Sequence, residues 1–233
     1  MKKLNLSKIR RNFFNSGRSR FNEKNSVVGL LLLFPLNVLV GPSSAAAEKP
    51  CITQSEVKFE NEFRRLWIDH VLWTSNYITS ATTAGAEDQK QVLARLLKNQ
   101  EDIGNAVKPY YGEAAGNKLT ELLKEHIVIA GNIVDAAKSG NGDKVNQLDK
   151  EWHRNADDIA AFLSGANPHL KNEDVKKLLY MHLELVTNDL SASLVKDWDA
   201  RIVSIDEGFT HIIIMADAIS GAVVKQFPDK FKS

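Results

Sequence analysis

Three histidines stand at a regular spacing, because the interval from His70 to His126 equals the interval from His126 to His182. Apolar residues recur around each of them at steps of three and four, which predicts an α-helix with the histidine on its apolar face. Burying an imidazole costs free energy unless its ring nitrogens find partners, either hydrogen-bonding groups or a metal ion. The spacing therefore predicts three equivalent polar positions inside a helical core.

A second set of polar residues has the same period, since Asn99, Asn155 and His211 follow one another at the interval that separates the three histidines. Asn99 and Asn155 lie on the apolar stripes of the helices that follow the first two histidines. The favoured interpretation is a hydrogen bond from histidine to asparagine within each helix pair, which sets the register of the two helices. We expect this polar core to consist of His70, Asn99, His126, Asn155, His182 and His211.

The alternative interpretation is a transition-metal site built from His70, His126, His182 and His211, because neutral imidazoles from facing helices bind such ions in bundles. The sequence contains no Glu-x-x-His, His-Glu-x-x-His or His-x-x-x-His motif, so no helix offers two of the usual ligands on one face. Several helices would have to bring single histidines together. A transition metal is therefore a hypothesis, and no other cofactor is indicated.

Other arrangements that could support catalysis are not found in the sequence. No serine lies in a nucleophile elbow, and no Gly-rich loop joins a strand to a helix where it could hold a phosphate. Cys51 is the only cysteine, which excludes a disulfide within the chain and a cysteine-based metal or redox motif. The sequence therefore favours a protein that is not an enzyme.

Residues 1–47 have the organisation of an export signal. Residues 1–26 carry eight lysines and arginines against one acid, and residues 27–40 form a largely apolar run without charge. Ala45-Ala46-Ala47 offers the small residues that a signal peptidase accepts, which predicts cleavage between Ala47 and Glu48. The run is shorter than the about 20 residues that span a bilayer, so export with cleavage is favoured over retention as a membrane anchor.

The charge of the remaining chain excludes one class of partner. Residues 48–233 hold 22 Lys and Arg and 28 Asp and Glu, a net charge of −6. Nucleic acid binds to basic surfaces, because lysine and arginine replace the counterions of its phosphates. We therefore expect no nucleic-acid partner, and contact with a membrane only through residues 1–47 if they stay attached.

The apolar pattern is helical from residue 56 onward, with no sustained alternation of period two, so we expect an all-α fold. Pro109 and Gly112 are expected to stop the second helix, and Asp197 is the one residue that offers a cap between the fifth and sixth helices. The sequence predicts a six-helix bundle over 56–230, after a mobile tail over 48–55. Its repeating units are three helical hairpins with a period of 56 residues, at about 56–111, 112–167 and 171–228.

Several short motifs in this chain are similar to those of a bacterial family of small exported helical proteins. They are Leu66-Trp67-x-x-His70-Val71-x-Trp73-Thr74, Tyr110-Tyr111-Gly112, Trp152 with Asn155-Ala156-Asp157, Phe162-Leu163 with Asn167-Pro168, and Met215-Ala216-Asp217 with Gln226-Phe227-Pro228. The resemblance covers nearly all of residues 63–228 and implies an exported, all-helical fold without an established activity. Family members carry labels such as amino-acid kinase or glycosyltransferase, which do not fit a sequence without a nucleotide-binding strand, loop and helix.

These features predict an exported, non-enzymatic helical bundle with a binding or structural role at or outside the cell envelope. Two alternatives stay open. One is a metal-binding protein or metalloenzyme that uses the core histidines. The other is a membrane-anchored scaffold whose N-terminal segment is not cleaved. The sequence does not indicate a particular ligand or protein partner.

Overall fold

The computed structural model describes residues 52–232, so the predicted export signal over 1–47, its cleavage point between Ala47 and Glu48, and Cys51 lie outside the described residues. The described residues contain six α-helices and no strand, which confirms the predicted all-α fold with six helices. The helices are α1 (Gln54–Thr82), α2 (Gln89–Tyr111), α3 (Glu113–Lys138), α4 (Gly142–Ala166), α5 (Asn172–Val195) and α6 (Trp198–Gln226), and a 3₁₀ turn follows at Pro228–Phe231.

Side-chain caps set the start of three helices. Thr53 Oγ1 accepts a hydrogen bond from the amide of Glu56 at 3.2 Å, and α1 begins at Gln54, slightly before the predicted start at residue 56. Asn141 and Asp197 cap α4 and α6 in the same way. Each cap satisfies an amide that helix geometry leaves without a partner. The predicted break at Asp197 is thereby confirmed.

The corner between α2 and α3 lies at Gly112 alone. We expected Pro109 to help stop α2, but the helix continues through it to Tyr111. Proline has no N–H group, so the last turn of α2 lacks one helical hydrogen bond. Tyr110 packs against Phe59 and Phe231, and these aromatic contacts offset that loss. Gly112 has a φ of 84°, a left-handed conformation that favours glycine, so a single residue reverses the chain.

The helices close into a ring. Each helix packs against the next one along the chain, α6 returns to pack against α1, and α1 also contacts α3 and α5 across the middle. Helices α2 and α3 contact each other at least as extensively as the two helices of any predicted hairpin do. Packing alone therefore does not divide the bundle into three hairpins, and the three-hairpin repeat stays a prediction.

Polar side chains tie the helices together at both ends of α6. Near its start, Arg201 Nε donates to Oδ1 of the buried Asp189 on α5 at 2.9 Å. At its other end, the Tyr111 hydroxyl accepts from Asn167 at 2.8 Å and donates to Gln226 at 2.8 Å, which joins the ends of α2, α4 and α6. Buried groups paired in this way fix the relative positions of helices that are distant in sequence.

The two ends of the described chain lie side by side. The hydroxyl of Ser55, in the first turn of α1, donates to the carbonyl oxygen of Phe231 at 2.8 Å. The rings of Phe59 and Phe231 are in contact, with their centroids 5.4 Å apart. The 3₁₀ turn therefore packs on the first turns of α1.

Helix α6 is the one helix among residues 52–232 whose length and composition would allow it to cross a membrane. Its most apolar 18-residue window is 44% buried inside the bundle. The core helix of a water-exposed bundle has the same properties, so length and composition do not distinguish a packed helix from a spanning one.

Helices α2 and α3 approach each other closely at two glycines, Gly104 and Gly116. A Cβ atom at position 104 would lie 2.0 Å from Thr120 Oγ1 and 2.6 Å from the carbonyl oxygen of Gly116. Both distances are far below van der Waals contact, so a side chain at position 104 would push the helices apart.

Gly104→Ala is therefore expected to lower the free energy of unfolding by about 1–3 kcal/mol, because the added methyl group overpacks the α2 and α3 contact. Gly221→Ala on α6 is the matched control, since nothing lies within 4 Å of its added Cβ. The control is expected to be neutral or to stabilise by up to about 1 kcal/mol. Urea denaturation measures both variants, and equal stabilities would contradict the close approach.

Candidate functional site

The three regularly spaced histidines meet in the middle of the bundle and are named here the histidine cluster. His70 lies on α1, His126 on α3 and His182 on α5, and each residue is at most 4% exposed. The ring centroid of His182 is 5.2 Å from that of His70 and 6.1 Å from that of His126. The cluster therefore joins three helices, with His182 in contact with both of the others.

One hydrogen bond links two imidazoles of the cluster directly. Nε2 of His70 lies 3.2 Å from Nε2 of His182. One of these nitrogens carries the proton and the other accepts it, because a neutral imidazole has one donor and one acceptor nitrogen. The contact therefore couples the tautomer of one histidine to that of the other.

Gln100 lies on the other side of the His70 ring. Its Nε2 is 2.8 Å from the Leu96 carbonyl oxygen, 3.1 Å from Asn99 Oδ1 and 3.3 Å from Nδ1 of His70. An amide nitrogen carries only two hydrogens, and the two oxygens are the nearer acceptors. The contact with His70 is therefore the longest of the three, and either histidine can donate in the bond between His70 and His182.

His126 is oriented by a different amide. Its Nδ1 lies 2.7 Å from Oδ1 of Asn155 on α4, and this oxygen only accepts, so the proton of His126 lies on Nδ1. The amide nitrogen of Asn155 in turn donates to Glu125 Oε2 and to the Leu122 carbonyl oxygen, each at 3.1 Å. Asn155 thus fixes both the ring orientation and the tautomer of His126.

A third kind of contact occurs once in each of the helix pairs α1–α2, α3–α4 and α5–α6. Nδ2 of Asn99 donates to the Leu66 carbonyl oxygen at 2.9 Å, and Nδ2 of Asn155 donates to that of Leu122 at 3.1 Å. Nε2 of His211 binds the Leu178 carbonyl oxygen at 2.8 Å. In all three bonds the donor residue follows the acceptor residue by 33 positions in the sequence. These bonds tie α2 to α1, α4 to α3 and α6 to α5 one helical turn before the cluster.

The expected hydrogen bond from histidine to asparagine forms in one helix pair only. His126 bonds to Asn155 as expected. In the first pair the partner of His70 is Gln100, while Asn99 binds backbone. In the third pair His211 takes the place of asparagine and binds backbone as well. The polar groups therefore set the register mainly through carbonyl oxygens of the neighbouring helix.

Burial keeps the histidine cluster uncharged. The pKa of His70 is lowered to about 3, chiefly by burial and then by the charge that His126 would carry. The pKa of His126 is lowered to about 4 by burial, which outweighs the raising effect of its hydrogen bond to Asn155. Burial, together with the neighbouring histidines, also lowers the pKa of His182 well below its ordinary value. The cluster is therefore neutral at physiological pH.

His211 does not join the histidine cluster. Its side chain is half-buried and its Nε2 is directed to the Leu178 carbonyl oxygen. Within residues 52–232, no group of three or more His, Cys, Asp or Glu side chains is arranged to hold a metal ion. Of the four residues of the hypothetical metal site, the structure thus brings together His70, His126 and His182 and directs His211 elsewhere.

Three contacts of the cluster were not anticipated from the sequence. Gln100 has no exposed surface. It follows Asn99 directly and so falls outside the apolar stripe from which the polar core was predicted. Trp67 packs edge-on against the ring of His70, with centroids 5.6 Å apart, and Trp152 packs against His126 at 5.1 Å. The sequence carries two signals of these contacts. Asn99 and Gln100 are consecutive carboxamides, and Trp67 lies three residues before His70, which places both on one face of α1.

Comparison of the chain with protein-family models, with curated proteins and with solved structures gives no match. The resemblance to a bacterial family of small exported helical proteins therefore stays a prediction that rests on the motifs quoted for it.

The lowered pKa values predict a loss of stability in acid. Below about pH 6.5 the histidines of the unfolded chain take up protons that the folded core excludes, so the free energy of unfolding falls as pH falls toward 4. Each such histidine contributes a slope of about 1.4 kcal/mol per pH unit. Between pH 6.5 and 5, His126→Gln should therefore reduce the slope of the wild type by about 1 kcal/mol per pH unit, because the unfolded histidine is only half protonated at pH 6.5.

Urea denaturation at a series of pH values, in the presence of a chelator, measures these slopes. His169→Gln is the matched control, since His169 is exposed in the folded protein, and it should leave the slope as in the wild type. A His126→Gln slope equal to that of the wild type would show that His126 takes up its proton in the folded state too.

Proposed function

We propose that this protein is an exported helical bundle that acts by binding or as a structural component at or outside the cell envelope, and not by catalysis. The observation that carries the proposal is the internal pairing of the polar core. His70 bonds to His182 and His126 to Asn155, and all four are buried. A catalytic base must reach the proton that it removes from its substrate. Imidazoles paired with each other inside a bundle instead fix the positions of helices.

The proposal includes an internal repeat of three helical hairpins. Its support is the bond from the second helix of each pair to a leucine carbonyl oxygen of the first, which recurs at Leu66, Leu122 and Leu178. These leucines are equally spaced, at the same interval as the histidines that follow each of them by one helical turn. A repeat of this kind buries apolar surface between units that could not bury it alone.

Export is tested by sequencing the N-terminus of the protein recovered from outside the cytoplasm. The expected result is a chain that begins at Glu48, because the signal peptidase accepts the alanines before it. A chain that begins at Met1 in the membrane fraction would contradict cleavage and favour the anchored scaffold. Replacing Ala45 and Ala47 with bulky residues is the control that should prevent cleavage at this position.

A second candidate function, binding of a transition metal, is favoured by one distance. Two nitrogen ligands about 2.0–2.1 Å from a tetrahedral zinc ion lie about 3.3 Å apart, and Nε2 of His70 and Nε2 of His182 are separated by 3.2 Å. A third ligand would require the ring of His126 to move toward this pair. The bond between His70 and His182 opposes the site, because one of these two nitrogens carries a proton that a metal would have to displace.

Elemental analysis of the native protein, purified without chelator or affinity tag, distinguishes the two candidates. Internal pairing predicts less than one-tenth equivalent of metal and a thermal melt that a strong chelator leaves unchanged. Near-stoichiometric zinc or another transition metal, with a melting temperature that falls on chelation, would instead establish metal binding. His182→Gln should then abolish the metal content, whereas the exposed control His169→Gln should retain it.

A further inference from the structure

One apolar stripe runs along the whole of α6. Its residues follow one another at alternating steps of four and three, which is the spacing by which helices pack lengthwise against each other. In the second half of α6 the stripe consists of Ile212, Ala216, Ile219 and Val223, each at most 4% exposed. Ile219 and Val223 line a cleft together with residues of α2, α3 and α4. Helices of the bundle therefore cover this half of the stripe.

The first half of the same stripe reaches the surface and is named here the exposed stripe. It consists of Trp198, Ile202, Ile205 and Phe209, which extend over about three helical turns. Trp198 is 56% exposed and Ile202 is 58% exposed, whereas Ile205 and Phe209 are partly buried. No helix within residues 52–232 therefore covers Trp198 and Ile202, although their spacing is that of a helix contact.

The bundle holds the first half of α6 by the neighbouring side of the helix. Arg201 Nε donates to Asp189 Oδ1 on α5 at 2.9 Å, and Arg201 Nη2 donates to Ser75 Oγ on α1 at 3.0 Å. Gly208 is buried, and a Cβ atom at this position would lie 3.6 Å from Val71 on α1. Because these contacts leave the exposed stripe to one side, a partner can reach it without any rearrangement of the bundle.

Acidic side chains border the exposed stripe. Residues 197–209 carry four acids and one base, Arg201, which is already paired. Asp199 and Asp206 are exposed, and each lies within about one helical turn of Ile202. Neither carboxylate forms an ion pair elsewhere in the described part of the chain. This border would repel an anionic lipid surface or the same surface of a second copy, and it would attract a basic partner.

From these observations we propose that the exposed stripe binds a basic amphipathic α-helix of another protein. The apolar side of the partner helix packs on Trp198, Ile202 and the rest of the exposed stripe, just as helices of the bundle pack on the second half of α6. Lysine or arginine residues beside that apolar side pair with Asp199 and Asp206. This inference deepens the binding role proposed above and rests on it.

The test uses two synthetic peptides of about 18 residues, or about five helical turns, that differ only in charge. Both carry leucine at alternating steps of four and three, and the other positions are lysine in one peptide and glutamate in the other. Fluorescence anisotropy of the labelled peptides measures their binding to the native protein, isolated as the cell produces it. The Leu/Lys peptide is expected to bind about tenfold more tightly, because only its charges complement Asp199 and Asp206.

Two isoleucines of α6 give a matched pair of variants. Ile202 lies in the exposed stripe and Ile214 on a different side of the helix, and they are 58% and 54% exposed. Ile202→Ala should weaken the binding of the Leu/Lys peptide about fivefold, since it removes a central apolar contact, whereas Ile214→Ala should weaken it less than about twofold.

Two aspartates test the charge contribution in the same way. Asp199→Asn should weaken the binding of the Leu/Lys peptide about threefold, because it removes one charge beside the exposed stripe. Asp143→Asn is the control that leaves this affinity unchanged, since Asp143 is also an exposed acid in the first turn of a helix but belongs to α4.

Failure of the Leu/Lys peptide to bind the wild type would overturn the proposal, and so would equal weakening by Ile202→Ala and Ile214→Ala. A dimer that sedimentation detects and that Ile202→Ala dissociates would instead show that a second copy covers the stripe. Binding to phosphatidylglycerol vesicles that Ile202→Ala abolishes would show that the stripe contacts a membrane, which also contradicts the proposal. Each of these results leaves the N-terminal sequence of the exported protein unaffected, so it is distinguishable from failure of the proposed export.

Discussion

The architecture depends on keeping three imidazoles neutral inside a buried core. A protonated histidine in this position would have neither hydration nor a carboxylate partner within the cluster, so His70, His126 and His182 must share protons or pair with amides. This requirement determines which residues surround them. Gln100 contacts His70, Asn155 supplies an acceptor to His126, and Trp67 and Trp152 pack against the rings.

Polar side chains of α2, α4 and α6 also hold these helices in register with α1, α3 and α5. A helical carbonyl oxygen has two lone pairs, and the intrahelical bond uses one of them. Asn99, Asn155 and His211 bind leucine carbonyl oxygens of the preceding helix through this second acceptor position. Register is thus set by backbone positions, which tolerate changes of the side chain that makes the bond, as His211 illustrates.

The sequence was sufficient for the fold class and for the burial of His70, His126 and His182, because periodicity records which face of a helix avoids water. It was insufficient for the pairing. Nothing in the spacing of His70, His126 and His182 indicates that two of them bond to each other, since this depends on how three helices converge. Gln100 was missed for a local reason, because one position along a helix is a rotation of about 100° and normally points away from the core. Pro109 was misjudged because the aromatic packing of Tyr110 overrides the local preference of proline.

The contact between Ser55 and Phe231 brings the beginning of α1 next to the end of the last turn. When the two ends of a ring of helices adjoin, each helix has the same neighbours whichever helix comes first in the chain. A circularly permuted chain, with residues 52 and 232 joined by a short linker and a new N-terminus at Gly140, would keep the six helices, their caps and the contacts of the core. The arrangement of the helices in this bundle therefore does not depend on which helix is synthesised first.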